Sequence, residues 1–536
     1  MDPKIQRDDL IQDIRDLTNI LENAHPDPYI RGGGKIVYHR RLQNLIREIP
    51  PKGMSRQEFF FHLRPFIAKI GDGHTAIYLD QSPADNENPG GIPLFFDVVD
   101  EKLYVDGVTD TEYLSLIGCI LVSVEGVAFE DLVKRQAKQV GYENIYHLIG
   151  LLGKKGSLFY GNALKSLVPE WKNPEQIEVV LLHPSGKEKS HTFPPSKNVK
   201  FPLFRQKTNF PTPETNNKYF SYHFMDSDKN IAFLQLLNMT TYREAFEYWN
   251  VTGMINFDSW SRKVYTIFNN KEPPEDINAR LIGIPAATET FLSLVKEMNK
   301  ENTKYLIVDL RQNFGGFDAM IHILLYFLIG FEKTISLAMK NAEVRKLSEY
   351  LHKDSENGIE LDKIHYRNLV PLTINDYDFS QDPIFSPEAV RKSVTKNHSS
   401  IFEKMPSFFK EFRSGEYEAH YLPKTIIVLC TNSTFSSGFN LMTELYHLGA
   451  ILIGTPSAQA GNSFGNCRTF KLSNSKLTGM YSTKYFIAFP DDPEKGRNLL
   501  PHYQLTYEKL ASYDFDPNSI VLYALDIIKK LENEGN

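Results

Sequence analysis

Three short stretches of this 536-residue sequence carry groups suited to acyl-transfer chemistry. The first is Asp309-Leu310-Arg311-Gln312-Asn313-Phe314-Gly315-Gly316-Phe317, where an apolar run ends in a polar turn with paired glycines. Adjacent glycines let the backbone approach a ligand and aim N–H groups at it, as an oxyanion requires. A plain tight turn accounts for the same residues. The second is Thr431-Asn432-Ser433-Thr434-Phe435-Ser436-Ser437-Gly438-Phe439, again between an apolar run and a helical pattern. A serine there lies at a helix N-terminus, where free N–H groups stabilise negative charge. Ser433, Ser436 and Ser437 are equally good helix caps, and spacing alone does not choose. The third is His74, on the turn Gly71-Asp72-Gly73-His74-Thr75. Its imidazole titrates near neutrality and suits a general base presented to a cleft, or a structural role on the turn. The other histidines weighed, His25, His62, His147, His322 and His447, fall at a helix end or within helical patterns.

The elements around these stretches follow from periodicity. Leu10, Ile14, Leu17 and Leu21 recur at helical spacing until His25-Pro26. A second helical segment runs through Tyr38, Leu42, Leu45 and Ile46, and a third starts at Ser55 with Glu58 completing a capping box. Residues 1–80 therefore read as an N-terminal helical domain that carries His74. Gln81 to Gly91 is polar and rich in Pro and Gly, as a linker is. From 92 to 195 short strands dominate, with Glu125-Gly126 as a hairpin turn. From 200 to 536 continuous apolar runs (Ile231–Leu236, Tyr305–Leu310, Thr425–Cys430, Ala450–Gly454) alternate with helical patterns, which implies an α/β core. Polar insertions near 240–280 and 333–420 read as lids or surface excursions.

Composition bounds the function. Lys and Arg total 60 against 66 Asp and Glu, a formal charge of −6, and no basic block argues for a nucleic-acid partner. Cys119, Cys430 and Cys467 are too scattered for a disulfide framework or a zinc site, and no HExxH occurs, so neither a metal nor an organic cofactor is expected. The longest apolar stretch, Met320 to Phe331, is too short to span a bilayer, so no transmembrane segment is expected. The first residues lack an apolar signal core. A cytoplasmic protein is expected if Met1 is the natural start, and a secreted or periplasmic one if a leader has been removed.

Taken in order, His25-Pro26, the Asp72–Thr75 turn, the Asp309-Leu310-Arg311 strand end, the serine turn, Gly454 and Pro501 with Asp514-Phe515-Asp516 form a series. That series resembles the tail-specific (C-terminal-processing) serine peptidase family, tricorn-core-like branch, over nearly the whole chain. The resemblance implies a ClpP/crotonase-like peptidase core and a PDZ-like module at 92–195, the latter chiefly through Gly118-Cys119-Ile120 to Gly126. It implies a serine endopeptidase acting on a polypeptide substrate through an acyl-enzyme, with a homo-oligomer left open. Ser436 falls on the family nucleophile and His74 on the histidine of the Ser-His branch. The N–H groups of Ser437 and Gly315, ahead of Gly316, fall on the oxyanion donors. The lysine base of other members falls at Ala460, and no lysine occurs between Ser437 and Arg468. The supporting acid is expected just before Pro501, where Asp491, Asp492 and Glu494 stand, with Asp492 and Glu494 the leading candidates. Arg311 reads equally as an ion-pair partner of Asp309. A catalytically inactive homologue that binds peptides or a hydrophobic ligand is the alternative. A GxSxG elbow is not met, since Phe435-Ser436-Ser437-Gly438 lacks the leading glycine.

Overall fold

Strands that are apolar at every position need cover on both faces, and the four apolar runs find it in one sheet. The computed structural model describes residues 3–79, 90–153, 156–196, 203–208, 210, 219–350, 372–382 and 387–534. Its central sheet has the order Tyr503–Gln504, Ile451–Gly454, Thr425–Cys430, Tyr305–Asp309, Ile231–Leu236, Phe220–Phe224. All neighbours are parallel except the last pair. Asp309 lies opposite Leu429 and Cys430 opposite Gly454, so the turns that follow these strands emerge side by side at one sheet edge. Ligands of open α/β sheets bind at that edge.

The helix Ala319–Ile329 is buried all round except at His322, as its uniformly apolar sequence requires. Helices Pro387–Phe402 and Pro406–Ser414, within the stretch read as a surface excursion, deliver Phe402, Phe408 and the intervening Met405 into the same core, all fully buried. That stretch is partly core, because its aromatic residues recur at helical spacing among charges. Helices Arg243–Val251 and Phe257–Asn269 occupy the other insertion.

The N-terminal helices, Arg7–Ala24, Lys35–Arg47 and Arg56–Ala68, bury one face each, and the capping box of Ser55 and Glu58 is formed. Their core also takes Phe470, Leu472, Leu477 and Tyr481 from a late hairpin, Asn462–Lys471 with Thr478–Ile487. The short strand Ala76–Tyr78 pairs with that hairpin, Ala76 opposite Met480. This sets the turn before Ala76 against the far end of the sequence. A third, antiparallel sheet comprises Leu94–Val99, Lys102–Val108, Ile120–Val124, Ile177–Leu182 and Glu188–Phe193. Glu125 and Gly126 both have positive φ (50° and 75°) between paired Val124 and Val127, the conformation a two-residue hairpin demands. The expected linker 81–91 lies almost wholly outside the described residues. No helix among the described residues is long and apolar enough to cross a membrane.

Candidate active site

The serine turn is tied to the glycine turn at several points. Thr431 Oγ1 donates to the Arg311 carbonyl (2.6 Å), Thr434 Oγ1 to the Leu310 carbonyl (2.8 Å), and the Phe435 N–H to the Asn313 carbonyl (2.9 Å). Ser437 Oγ donates to the Gly316 carbonyl at 2.8 Å. Ser436 then stands immediately before the helix Ser437–His447, with φ 52° and ψ −128°. A non-glycine residue held there is strained, and such strand-to-helix strain lifts a side chain clear of the turn. The Ser436 N–H donates to Gln459 Oε1 at 2.5 Å, and Ser436 Oγ has no hydrogen-bond partner among the described residues.

The two glycines differ. Gly315 (φ 98°) has no room for a side chain: a Cβ would lie 2.5 Å from Ser436 Cβ and 2.8 Å from Ser437 N. Its N–H, however, donates to Asn313 Oδ1 (2.9 Å), while Asn313 Nδ2 donates to the Leu236 carbonyl. Among the described residues the N–H of Gly316 has no partner, and that residue is exposed. Ser437 N–H is the first of its helix and has no intrahelical acceptor. Arg311 makes a two-pronged pair with Asp309 (2.8 Å each), the structural alternative of the sequence reading.

His74 comes to the same place from 361 positions away. Its ring stacks on Phe435, the residue before Ser436, with centroids 4.6 Å apart and planes 26° apart. His147 packs on Phe435 as well, at 5.0 Å. His74 is only 12% exposed in its side chain, and its Nδ1, buried without a hydrogen bond, faces Asp72 Oδ1 at 3.9 Å. No hydrogen bond joins His74 to Ser436 among the described residues.

Asp72 is the most constrained group of the site. It is fully buried and accepts from Thr75 Oγ1 (2.5 Å), Ser482 Oγ (2.7 Å) and the His74 N–H (2.7 Å). His25 lies 3.2 Å away through Nε2; because Asp27 N–H donates to His25 Nδ1, the proton sits on Nε2 and is donated to Asp72. Burial pushes the Asp72 carboxyl up, but the His25 bond, the charges of His25 and His74, and Thr75 outweigh it and hold the group well below the usual carboxylate range. Glu143 sits alongside, paired to Arg31 (2.8 Å) and accepting from Gly73 N–H (2.9 Å), with burial raising its pKa against the pull of Arg31. Burial, and then the neighbouring His74, push His147 down to about 3. Asp72, His74 and Glu143 bring ligand atoms within 4.8 Å of one another, so the trio has metal-ligand spacing. Arg31 and backbone N–H groups already engage its carboxylates.

The structure brings together His74, Ser436, Ser437 and Gly315 but not Asp492 or Glu494. Asp492 caps the helix Pro493–Arg497 and pairs with Lys495 at 2.5 Å, and Glu494 is 84% exposed beside Arg497. Neither touches His74. Sequence reasoning missed Glu143, His147 and Gln459, and used Asp72 only as a turn residue. Asp72 had a local signal, a carboxylate two positions before the histidine.

The sequence profile of peptidase family S41 matches residues 252–491, which include both turns. That stretch of the chain is similar to this family. The solved structure of mature CPAF is 14% identical, covers 98% of this chain and 97% of its own, and superposes with a TM-score of 0.56. CPAF complexed with lactacystin is 14% identical, covers 98% of each chain, and gives 0.55. At that identity the likeness speaks for the shared fold. Comparison with curated proteins finds no match. The match supports a serine-type peptidase, and His74 lies outside the matched stretch.

Proposed function

We propose that the chain is a peptidase of the S41 type that hydrolyses internal peptide bonds through an acyl-enzyme, on a ClpP/crotonase-like core (200–536) served by the helical domain (1–80) and a PDZ-like module (92–195). Ser436 Oγ attacks the scissile carbonyl. His74 Nε2 takes the hydroxyl proton and returns it to the leaving amine, and water then releases the acyl group. Asp72 is the supporting acid in place of Asp492 or Glu494: it faces His74 Nδ1 and is held ionised by its donors. Ser437 and Gly316 supply the oxyanion N–H groups, since that of Gly315 is engaged by Asn313. Gly315 serves by its lack of a side chain.

The observation that carries this reading is the His74–Phe435 stack, which puts an imidazole from the N-terminal domain beside the strained serine. One observation favours the second reading, a homologue that binds peptides or a hydrophobic ligand without cleaving them: His74 and Ser436 are not hydrogen-bonded, although such bonds often tighten only with substrate present. Cleavage of an unfolded casein-type substrate by wild type and by Ser436→Ala decides. The proposal expects wild-type hydrolysis and a loss of at least about 1,000-fold in the variant. Equal rates refute the nucleophile, and no wild-type cleavage favours the binder.

A further inference from the structure

A cavity of about 190 Å³ lies directly behind the serine turn. Gln459, which holds the Ser436 N–H, lines it, as does Asn440, whose N–H donates to the Ser436 carbonyl. Its deeper wall is unusual in holding several buried polar atoms without partners, His322 Nδ1 among them. Glu444 Oε2, Asn341 Oδ1 and His398 Nε2 are all shielded from solvent and have no hydrogen-bond partner. The assignments are fixed by their neighbours. Asn341 Nδ2 donates to Glu444 Oε1 (2.6 Å), which leaves its Oδ1 free. His398, only 8% exposed, donates from Nδ1 to the Val394 carbonyl (2.9 Å), which leaves Nε2 as an acceptor. Asp318 adds a second carboxylate nearer the serine turn, bonded to the Ser437 side chain and, at 3.3 and 3.5 Å, to Asn440 Nδ2. The nearby cations are engaged elsewhere: Lys484 pairs with Glu343 at 2.5 Å, and Lys340 donates to the His447 carbonyl.

Buried polar atoms are costly without partners, and two neighbouring carboxyl groups whose nearby lysines are engaged elsewhere favour a partner that is rich in N–H and positive, which also draws the proton off Glu444. The dimensions fit a side chain. Glu444 lies eight residues along the helix from Ser436, roughly 12 Å, with Asp318 between. A lysine side chain reaches about 6 Å from its Cα, so its ammonium would fall between the two carboxylates when its carbonyl sits at Ser436.

We infer that this cavity receives the substrate side chain on the acyl side of the scissile bond and selects a basic one, lysine or arginine, through Asp318 and Glu444. The inference rests on the proposed role of Ser436. Its apolar walls, among them Phe439, Ile321 and Val394, take the methylene stem.

The test uses the full chain and two peptides that differ only by lysine or norleucine before the scissile bond. Wild type is expected to favour lysine at least 10-fold in kcat/KM, and Asp318→Asn or Glu444→Gln each to shrink that ratio about 10-fold. Binding of the same peptides to Ser436→Ala, read by fluorescence anisotropy, gives the preference independently of turnover. Lysine-selective binding without wild-type cleavage supports this inference and defeats the hydrolytic reading alone. Equal or weaker binding of the lysine peptide overturns the inference whether or not anything is cleaved. On wild type alone, butylammonium should inhibit or displace the peptide where butanol does not; equal effects would also overturn it.

Discussion

Glu444→Gln should stabilise the protein, and more so in alkali. The Glu444 carboxyl is pushed up to about 8 from an ordinary value near 4.5, first by burial and then by the like charge of Asp318, which the Asn341 bond and Lys340 only partly offset. Between those two values the folded chain holds the proton more tightly than the unfolded chain, so stability falls as pH rises through that window. Integrated, ionising this group costs about 1 kcal/mol at pH 5 and about 5 kcal/mol at pH 9. Glutamine removes that penalty and places an N–H donor in the same wall. For a chain of this length the unfolding entropy is about 1.1 kcal/mol per degree. The variant should therefore melt about 1 °C above wild type at pH 5 and about 4 °C above it at pH 9, measured by intrinsic fluorescence in matched buffers. The same Tm difference at both pH values, or a variant less stable at pH 9, would refute the reasoning. A gain in stability with loss of lysine selectivity would mark Glu444 as a residue kept for function at the expense of the fold.

Further outcomes follow from the same groups. Asp72→Asn replaces an acceptor of several buried donors with an amide and should lower stability by about 2–4 kcal/mol in urea unfolding at pH 7. In wild type the folded Asp72 pKa lies below its unfolded value, so its contribution is present above the ordinary carboxylate range and is lost only as pH falls through the folded pKa. His147, pushed down to about 3 by burial, must be charged in the unfolded chain alone between pH 6.5 and 3, so stability falls on acidification across that window. His147→Gln, which keeps an acceptor for the Glu143 N–H, should flatten the urea midpoint between pH 7 and pH 4. Gly315→Ala should cut kcat by at least about 100-fold, because its Cβ would meet Ser436 and Ser437 N. An unchanged rate would show that the turn yields.

Much of the fold was legible because its signals are local. The spacing of Leu10, Ile14, Leu17 and Leu21 gives the first helix, and the apolar runs before Asp309 and Thr431 give the central strands. The late hairpin was not legible: Asn462–Lys471 carries exposed polar positions, and neither it nor Thr478–Ile487 is a continuous apolar run. That hairpin brings Ser482 to Asp72, so the constraint on Asp72 could not be read from Asp72-Gly73-His74 alone. That His74 and Ser436 belong to one site was expected from resemblance rather than from any local signal. Glu143 and His147 looked like ordinary loop and helix residues, since His147 packs on Phe435 some 290 positions away and Glu143 accepts from Gly73 70 positions back. The choice between Gly315 and Gly316 turns on a single side-chain bond from Asn313, which no sequence spacing encodes.

The central claim is that Ser436 is a nucleophile activated by His74. It is tested most directly by treating the intact chain with a fluorophosphonate and locating the adduct by peptide mass spectrometry. A single adduct on Ser436, slowed at least about 100-fold by His74→Ala, is the predicted result. No adduct, an adduct on another serine, or labelling indifferent to His74 would contradict it.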